Sequence, residues 1–545
     1  MSKKIKNDRQ HFSQQGNRQT ASVSASLFPS WIQRFIQYPH FSWIFAAVYG
    51  LVILGVGLQY HVVGDYNVET DFFWSYVPEA KSILHKIFVI EGFRGPAYPV
   101  LLAGAGSLLG DFFRAGIVLS VFSAAGVLYL SHELFRRFFQ PDIALFGTLL
   151  IAVNKTFIQY SYTASTDMVF NFVVTASLFF LLQSEQRRWL NIILSSIFAA
   201  IAYLTRYNGV FIVAAVPLIL LFINCYDLQW KERWKTTAVF LGIFLLAITP
   251  WGIYCYKQMG SFFYNQNYLN IAYEMFAKGK IGWDQFWNID SHNYHSLLQV
   301  VFSDPGKFIG TLFSNVYAHF TNDIKSLLLW PLGVASILGI LVMWWEKPTI
   351  REFSLLVYGV CFFGILLLVF YSERFSMFLL LIYVTLAIHT LTWKKLTRVR
   401  LWNYVQISVL ISWIVLVWTF SQAYEFNMTN INSGPQEVPL IADWFIKNYG
   451  KGNESQLIVT RKPHIAYYLG MSMSGFPYVQ NEEELRKQVK DSKASYLFFS
   501  TMEAYMRPQF QTWLDPRNAP SWLIPITYTI SPPAVLYKVN LENTP

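Results

Sequence analysis

The sequence predicts a mainly α protein: a polytopic membrane helix bundle of about 11 spans, followed by a small C-terminal extracytoplasmic α/β domain. Three observations predict it. Of 545 residues, 54% are hydrophobic and only 14% charged, whereas a soluble domain carries about 25% charged residues. Apolar stretches of roughly 16–22 residues, near the ~20 needed to cross a bilayer, recur along the first four-fifths of the chain. After residue 423 the composition changes to charged runs and short alternating stretches.

Residues 1–40 are polar and basic (Lys3, Lys4, Lys6, Arg9, Arg18) and read as a disordered cytoplasmic tail. The first apolar run starts late and is long enough to span, which argues against a cleavable signal peptide. Candidate spans fall at 41–60, 113–131, 142–158, 166–183, 190–205, 209–225, 236–256, 326–345, 353–371, 375–392 and 403–423, within a transmembrane module 41–423. With the N-terminus in the cytoplasm, the cytoplasmic connections contain Arg136 and Arg137; Arg187 and Arg188; Lys231, Arg233 and Lys235; Lys347 and Arg351; and Lys394, Lys395, Arg398 and Arg400. Every one is basic, as the positive-inside rule requires. Topology therefore explains the net charge of +10 better than a nucleic-acid partner does. Segment 96–110 is apolar but short and rich in Pro and Gly; as a span it would put the later basic loops on the wrong side, so it is expected to dip into the outer leaflet. Loops 61–112 and 257–325 and a soluble domain 424–545 then share the outer face. In that domain SQLIVT and SYLFF read as strands and VPLIADWFIKNYG as a helix. Cys225, Cys255 and Cys361 lie in apolar runs with no disulfide or zinc spacing.

Ionisable groups at span boundaries are functional candidates because they are costly there. Asp71, in VETDFFWSYVPEA between Glu69 and Glu79, suits a general base or a metal ligand, and equally a solvated loop carboxylate. Asp167, in STD at the start of an apolar run, suits an N-cap, a role compatible with ligand binding. Arg94, in FRGPAYP, suits a phosphate grip or an interfacial snorkelling Arg. Arg206 in LTRYNG and Arg374 in YSERF stand against the positive-inside bias in outer hairpins and suggest a bound anion, with Glu373 a local partner for Arg374 as the alternative. In the middle loop, Asn265, Asn267, Asn270, Trp283, Asp284, Trp287, His292 and His295 are candidates for a sugar or acceptor site or ordinary loop residues; the His292–His295 spacing alone is weak evidence for metal. There is no nucleotide-cradling Gly loop and no Gly-x-Ser-x-Gly elbow.

Taken in order, the outer-loop Asp71, the R-G-P-x-Y-P segment, the S-T-D, the T-R-Y-N-G, the E-R-F and the tail sequence RKPHIAYYLG resemble the GT-C superfamily of membrane glycosyltransferases, in its family 39-type branch of protein O-mannosyltransferases and bacterial lipid A aminoarabinose transferases. The resemblance covers most of the chain. It implies an inverting glycosyltransferase of the bacterial cytoplasmic membrane that takes a sugar from a polyprenyl-phosphate donor to a lipid, glycan or protein acceptor on the outer face. It further implies Asp71 as catalytic base and Asp167 as the second site carboxylate. Arg94, with Arg206 and Arg374, becomes the phosphate contact. A divalent metal (Mg, Mn or Zn) on Asp71 and Asp167 is one form of the chemistry; a metal-independent one leans on the arginines. Asp71 is followed by Phe72 where the mannosyltransferases carry an Asp-Glu pair, which bears on both the protein acceptor and the metal. In the tail, Arg461, His464 and Tyr467 are expected either to touch an acceptor or to pack on the outer loops. A transporter or flippase, or a glycan polymerase or ligase, is the alternative class; the charges sit at the outer boundary and no inverted repeat is visible.

Overall fold

The computed structural model describes residues 27–401 and 405–541. Ten of the eleven apolar stretches coincide with one helix or with consecutive helical pieces; the eleventh, 403–423, is helical from Ile407, and its residues 403 and 404 lie outside the described residues. Phe41–Tyr60, Phe112–Phe138, Glu185–Thr205, Trp230–Met259, Leu329–Glu346 and Ile407–Asn430 are long and apolar enough to cross a membrane. Pro141–Ala152 and Lys155–Tyr162 form a further span bent by 65°. The break is explained by Asn154, whose side chain accepts from the backbone of Thr156 and Phe157 and starts a new helix inside the apolar run. Thr166–Leu181, Tyr207–Ile223 and Leu379–Leu391 are shorter apolar helices. So is Ala97–Leu109, at 13 residues too short to cross alone, as its composition led us to expect.

The bundle buries part of its apolar side chains and presents others, aliphatic and aromatic alike, on its outer surface. Leu51, Leu246 and Val360 are 69%, 73% and 69% exposed, and such surfaces are stable only in lipid. One expectation is corrected at the start of the chain. The expected tail residues 1–26, with their lysines and arginines, lie outside the described residues, but 27–40 are not an unstructured extension. Ser30–Ile36 is a helix, and Leu27, Phe28 and Ile36 are buried against the bundle. The Leu27 backbone N–H donates to Asp142, and its carbonyl accepts from the Trp413 indole.

The C-terminal domain is built on a mixed five-stranded sheet, in the order Ser472–Gly475, Leu457–Thr460, Tyr496–Ser500, Pro533–Val539, Leu523–Ile530. The first three strands are parallel and the last two pair antiparallel. Strand alternation sorts the core into two layers. Ile458, Phe498 and Leu536 face the helices Glu437–Tyr449 and His464–Leu469. Val459, Leu497, Phe499 and Val535 face the other side, with Leu485 and Val489 of the helix Glu482–Ser492. Both predicted strands and the predicted helix of this domain are present. The helix His464–Leu469 also rests on the loop that follows the first long helix: Phe73 packs at a tilt against His464, Tyr467 and Tyr468.

Candidate active site

The site is assembled where the first outer loop meets three hairpins. The loop enters as a single helical turn, Val68–Asp71, runs through a one-turn π-helix, Phe72–Tyr76, and continues as Val77–Leu84. Asp71 ends the first turn. It is exposed and makes no hydrogen bond or ion pair among the described residues. Its charge nevertheless acts on Tyr76, Arg94, Arg374 and Lys462, so these groups stand around it.

Arg94 lies flat over the Tyr76 ring, 4.0 Å from its centroid, a cation–π contact. Its guanidinium is 3.9 Å from Glu79 and 3.8 Å from Glu91. Burial opposes the Arg94 charge, but Tyr76, Glu91, Glu79 and Asp71 outweigh it and hold the group above its ordinary pKa. The following Gly95 has to be Gly. A Cβ there would lie 2.4 Å from the carbonyl oxygen of Leu204, and this close approach sets Arg94 beside the hairpin that carries Arg206.

Asp167 is 4% exposed and anchors the second half of the site. The N-cap of its helix is Ser165, not Asp167: the Ser165 hydroxyl accepts from the Asp167 N–H. The Asp167 carboxylate is thus free to receive Arg206 at 2.5 Å, with Arg374 at 3.7 Å from its other oxygen. Arg206 also donates to Thr166, and Tyr76 shares a 3.3 Å contact with the same hydroxyl, so the two halves meet at Thr166. Both Arg206 and Arg374 lie against the Phe375 ring. Glu373 is not the partner of Arg374; it pairs with Lys155 at 3.1 Å and accepts from Thr156.

The five residues singled out in the sequence are therefore brought together, along with several that were passed over. Tyr76 carries no local signal, being an ordinary aromatic among aromatics. Glu69 is fully buried, and its carboxylate accepts from the His61 ring, the Asp65 N–H and the Ala164 N–H. It thereby ties the Asp71 turn to the strand of chain leading into Asp167. Both ring nitrogens of His61 face oxygen acceptors, Glu69 and the Ile431 carbonyl, an arrangement that favours the charged ring. Burial opposes that charge; Glu69 reverses the effect and raises the His61 pKa.

The remaining candidates lie elsewhere. Asn267 donates to the Phe93 carbonyl at 2.9 Å and Trp287 packs edge-on against Phe93, so the middle loop buttresses the Arg94 turn. Asp284 is bound by Arg507 at 2.9 Å and Arg461 at 3.4 Å, His464 donates to the Asp65 carbonyl, and the Tyr467 hydroxyl donates to Asp111. These contacts are packing of the tail domain on the loops. His292 and His295 are exposed. The carboxylates do not form a metal cage: Asp167 is taken by two guanidinium groups, and no cluster of three or more His, Cys, Asp or Glu suited to a metal occurs among the described residues.

Residues 94–254 match the family model described as dolichyl-phosphate-mannose-protein mannosyltransferase. The match covers less than half of the chain but contains Arg94, Asp167 and Arg206. The fold extends the comparison to nearly the whole chain. It is similar to ArnT from Cupriavidus metallidurans bound to undecaprenyl phosphate, with a TM-score of 0.55 at 13% identity over 92% of this chain and 98% of that one. The fold is equally similar to the archaeal oligosaccharyltransferase AglB from Archaeoglobus fulgidus in complex with an inhibitory peptide and a dolichol-phosphate, with a TM-score of 0.55 at 12% identity over 93% of this chain and 75% of that one. The chain thus has the fold of these membrane glycosyltransferases. No curated protein matches the chain in sequence.

Proposed function

We propose that the chain is a membrane glycosyltransferase that moves a sugar from a polyprenyl-phosphate donor to a hydroxyl of a lipid, glycan or protein, at the extracytoplasmic face of a bacterial cytoplasmic membrane. The observation that carries the proposal is a free carboxylate, Asp71, facing guanidinium groups that are themselves held in place by Asp167, Glu79 and Glu91. The family match, and the prenyl phosphates bound in both similar structures, support the donor class. A cavity of about 400 Å³ lined by Tyr203, Tyr207, Val213, Leu241, Phe244 and Ile248 reaches the residue that follows Arg206 in the chain and is largely apolar, as a prenyl tail requires.

In the step proposed, the acceptor hydroxyl oxygen attacks the anomeric carbon from the face opposite the phosphate. The new C–O bond forms as the bond from that carbon to the phosphate oxygen breaks, with inversion. Asp71 accepts the hydroxyl proton. The electron pair leaves on prenyl phosphate, whose charge is met by Arg94, Arg206 and Arg374 through fork-shaped donor pairs. This is the metal-independent form of the reaction. Asp167 holds the arginines in place; its buried, paired carboxylate is poorly placed to take a proton. With the N-terminus cytoplasmic, the basic loops lie inside and this site lies outside.

Deleting the chain from its host and analysing lipids and envelope glycans by mass spectrometry tests the proposal. The expected result is accumulation of one polyprenyl-phosphate sugar and loss of that sugar from one acceptor. Normal amounts of both would refute it, as would loss of a whole polymer.

A further inference from the structure

We infer that Lys462, from the C-terminal domain, is a positioning residue for the transfer: its side chain holds the helical turn that presents Asp71. The inference rests on the proposed role of Asp71 as base.

The turn Val68–Asp71 is four residues long, and Asn67 before it makes no side-chain capping bond. The turn opens a helical stretch that runs on through Phe72–Tyr76 to Leu84, and its start is held by Asp65, whose carboxylate accepts from the Asn67 and Glu69 N–H groups. Glu69 and Asp65 hold the turn from within the loop, and Lys462 adds a hold from the tail domain on the side next to Asp71. Its Nζ donates to the Tyr66 carbonyl at 2.5 Å and to the Thr70 hydroxyl at 3.0 Å. The Thr70 hydroxyl in turn donates to the Tyr66 carbonyl at 2.7 Å. These three bonds close a triangle over the turn, and Thr70 is the residue immediately before Asp71.

The Lys462 backbone is itself immobilised on both sides. The Arg461 N–H donates to Glu503 and its guanidinium to Asp284, while His464 donates to the Asp65 carbonyl and packs at a tilt against Phe73. Docking of the domain is thus served by other residues: Arg461, Arg507, His464, the Tyr468 hydroxyl on the Val62 carbonyl, and Lys81 with Glu454. A half-buried ammonium is not needed for it and is costly to desolvate. The charged groups facing Lys462 are Arg461 from its own segment, Asp65 and Asp71 from the first outer loop, Glu503 from the helix Thr501–Met506, and His464, which burial keeps neutral. Burial, then Arg461, push Lys462 down to about 8, against the pull of the acids. It is charged at neutral pH and loses its proton just above.

The test uses the full chain in detergent and the lipid-linked sugar that the deletion strain accumulates, assayed across pH with undecaprenyl phosphate binding and melting temperature as controls. Wild-type kcat is expected to fall as pH rises through about 8. Lys462→Met is expected to lower kcat at neutral pH roughly ten- to a hundredfold with KM nearly unchanged, and to abolish the alkaline fall. Lys462→Arg, which does not deprotonate, should keep most of kcat and move the fall upward. Thr70→Val, which removes one side of the triangle, should lie between, and with the Arg variant it carries the test should Lys462→Met not fold. A folded Lys462→Met with wild-type kcat and an unchanged alkaline fall would overturn the inference. So would Arg and Met variants that fail alike, or a loss confined to undecaprenyl phosphate binding. Asp71→Asn in the same assay separates the two claims. If it stays active, the base assignment falls and the inference with it; if it is dead while Lys462→Met is active, only the inference falls.

Discussion

Arg94 shows how single residues set the terms of binding here. Its guanidinium meets Glu79 and Glu91 only at 3.9 and 3.8 Å, and its Nε is buried without a hydrogen bond, so it is restrained rather than satisfied. A phosphate arriving at this group competes with Glu79. Burial pushes Glu79 up to about 6, although Arg94 and the Ser75 hydroxyl pull the other way. Glu79 is therefore mostly ionised at neutral pH and loses its charge as pH falls through 6, releasing Arg94. Glu79→Gln should then bind undecaprenyl phosphate more tightly than wild type at neutral pH, and the ratio of the two affinities should approach one below the Glu79 pKa. Taking the ratio cancels the titration of the phosphate itself; titration calorimetry at several pH values measures it. The residues legible in the sequence, Asp71, Arg94, Asp167, Arg206 and Arg374, were those whose charge stands out against an apolar or sided background. Tyr76 and Glu69 were not legible in this way. One is an aromatic in an aromatic run, and the other reads as a solvated loop acid until its three donors, two of them from segments far along the chain or across the loop, are seen.

At the scale of elements, the helices were readable because lipid demands long apolar runs, and each run became a helix. The 65° break at Asn154 was not, since a single cap residue inside an apolar run resembles a tolerated polar position. The element that matters most for chemistry is among the shortest. The turn Val68–Asp71 and the segment before Asp167 are pinned together by Glu69, while Gly64 leaves room where a Cβ would strike Phe73 and Glu69. Glu69→Ala would orphan the Asp65 and Ala164 N–H groups and the His61 ring. Each buried orphan costs roughly 1–3 kcal/mol. The variant should therefore melt well below wild type and lose transfer together with stability. The His61–Glu69 pair should also make stability fall as pH rises: a histidine whose pKa is raised on folding contributes fully below its unfolded value and loses that contribution through the folded one. Thermal unfolding in detergent at several pH values, for wild type and Glu69→Ala, checks both outcomes. A wild-type melting temperature for the variant would contradict the pinning.

For the whole molecule, three outer segments far apart in sequence close on one site. The first loop supplies Asp71 and Arg94, the middle loop braces Arg94 through Asn267 and Trp287, and the tail domain reaches back through Lys462, with Asp284 joining middle loop to tail. Topology argued from loop charge placed these segments on one face, but no local pattern shows which of their side chains touch, because those contacts depend on the packing of the helices between them. The site is thus a property of the assembled chain, and the proposed chemistry hangs on one free carboxylate. The most direct measurement is the rate at which purified Asp71→Asn protein consumes the polyprenyl-phosphate sugar accumulated by the deletion strain, compared with wild type at equal amounts and equal melting temperature. Loss of a general base predicts a rate lower by roughly 10²- to 10⁴-fold, with undecaprenyl phosphate binding retained. An Asp71→Asn protein that transfers the sugar at the wild-type rate would contradict the assignment.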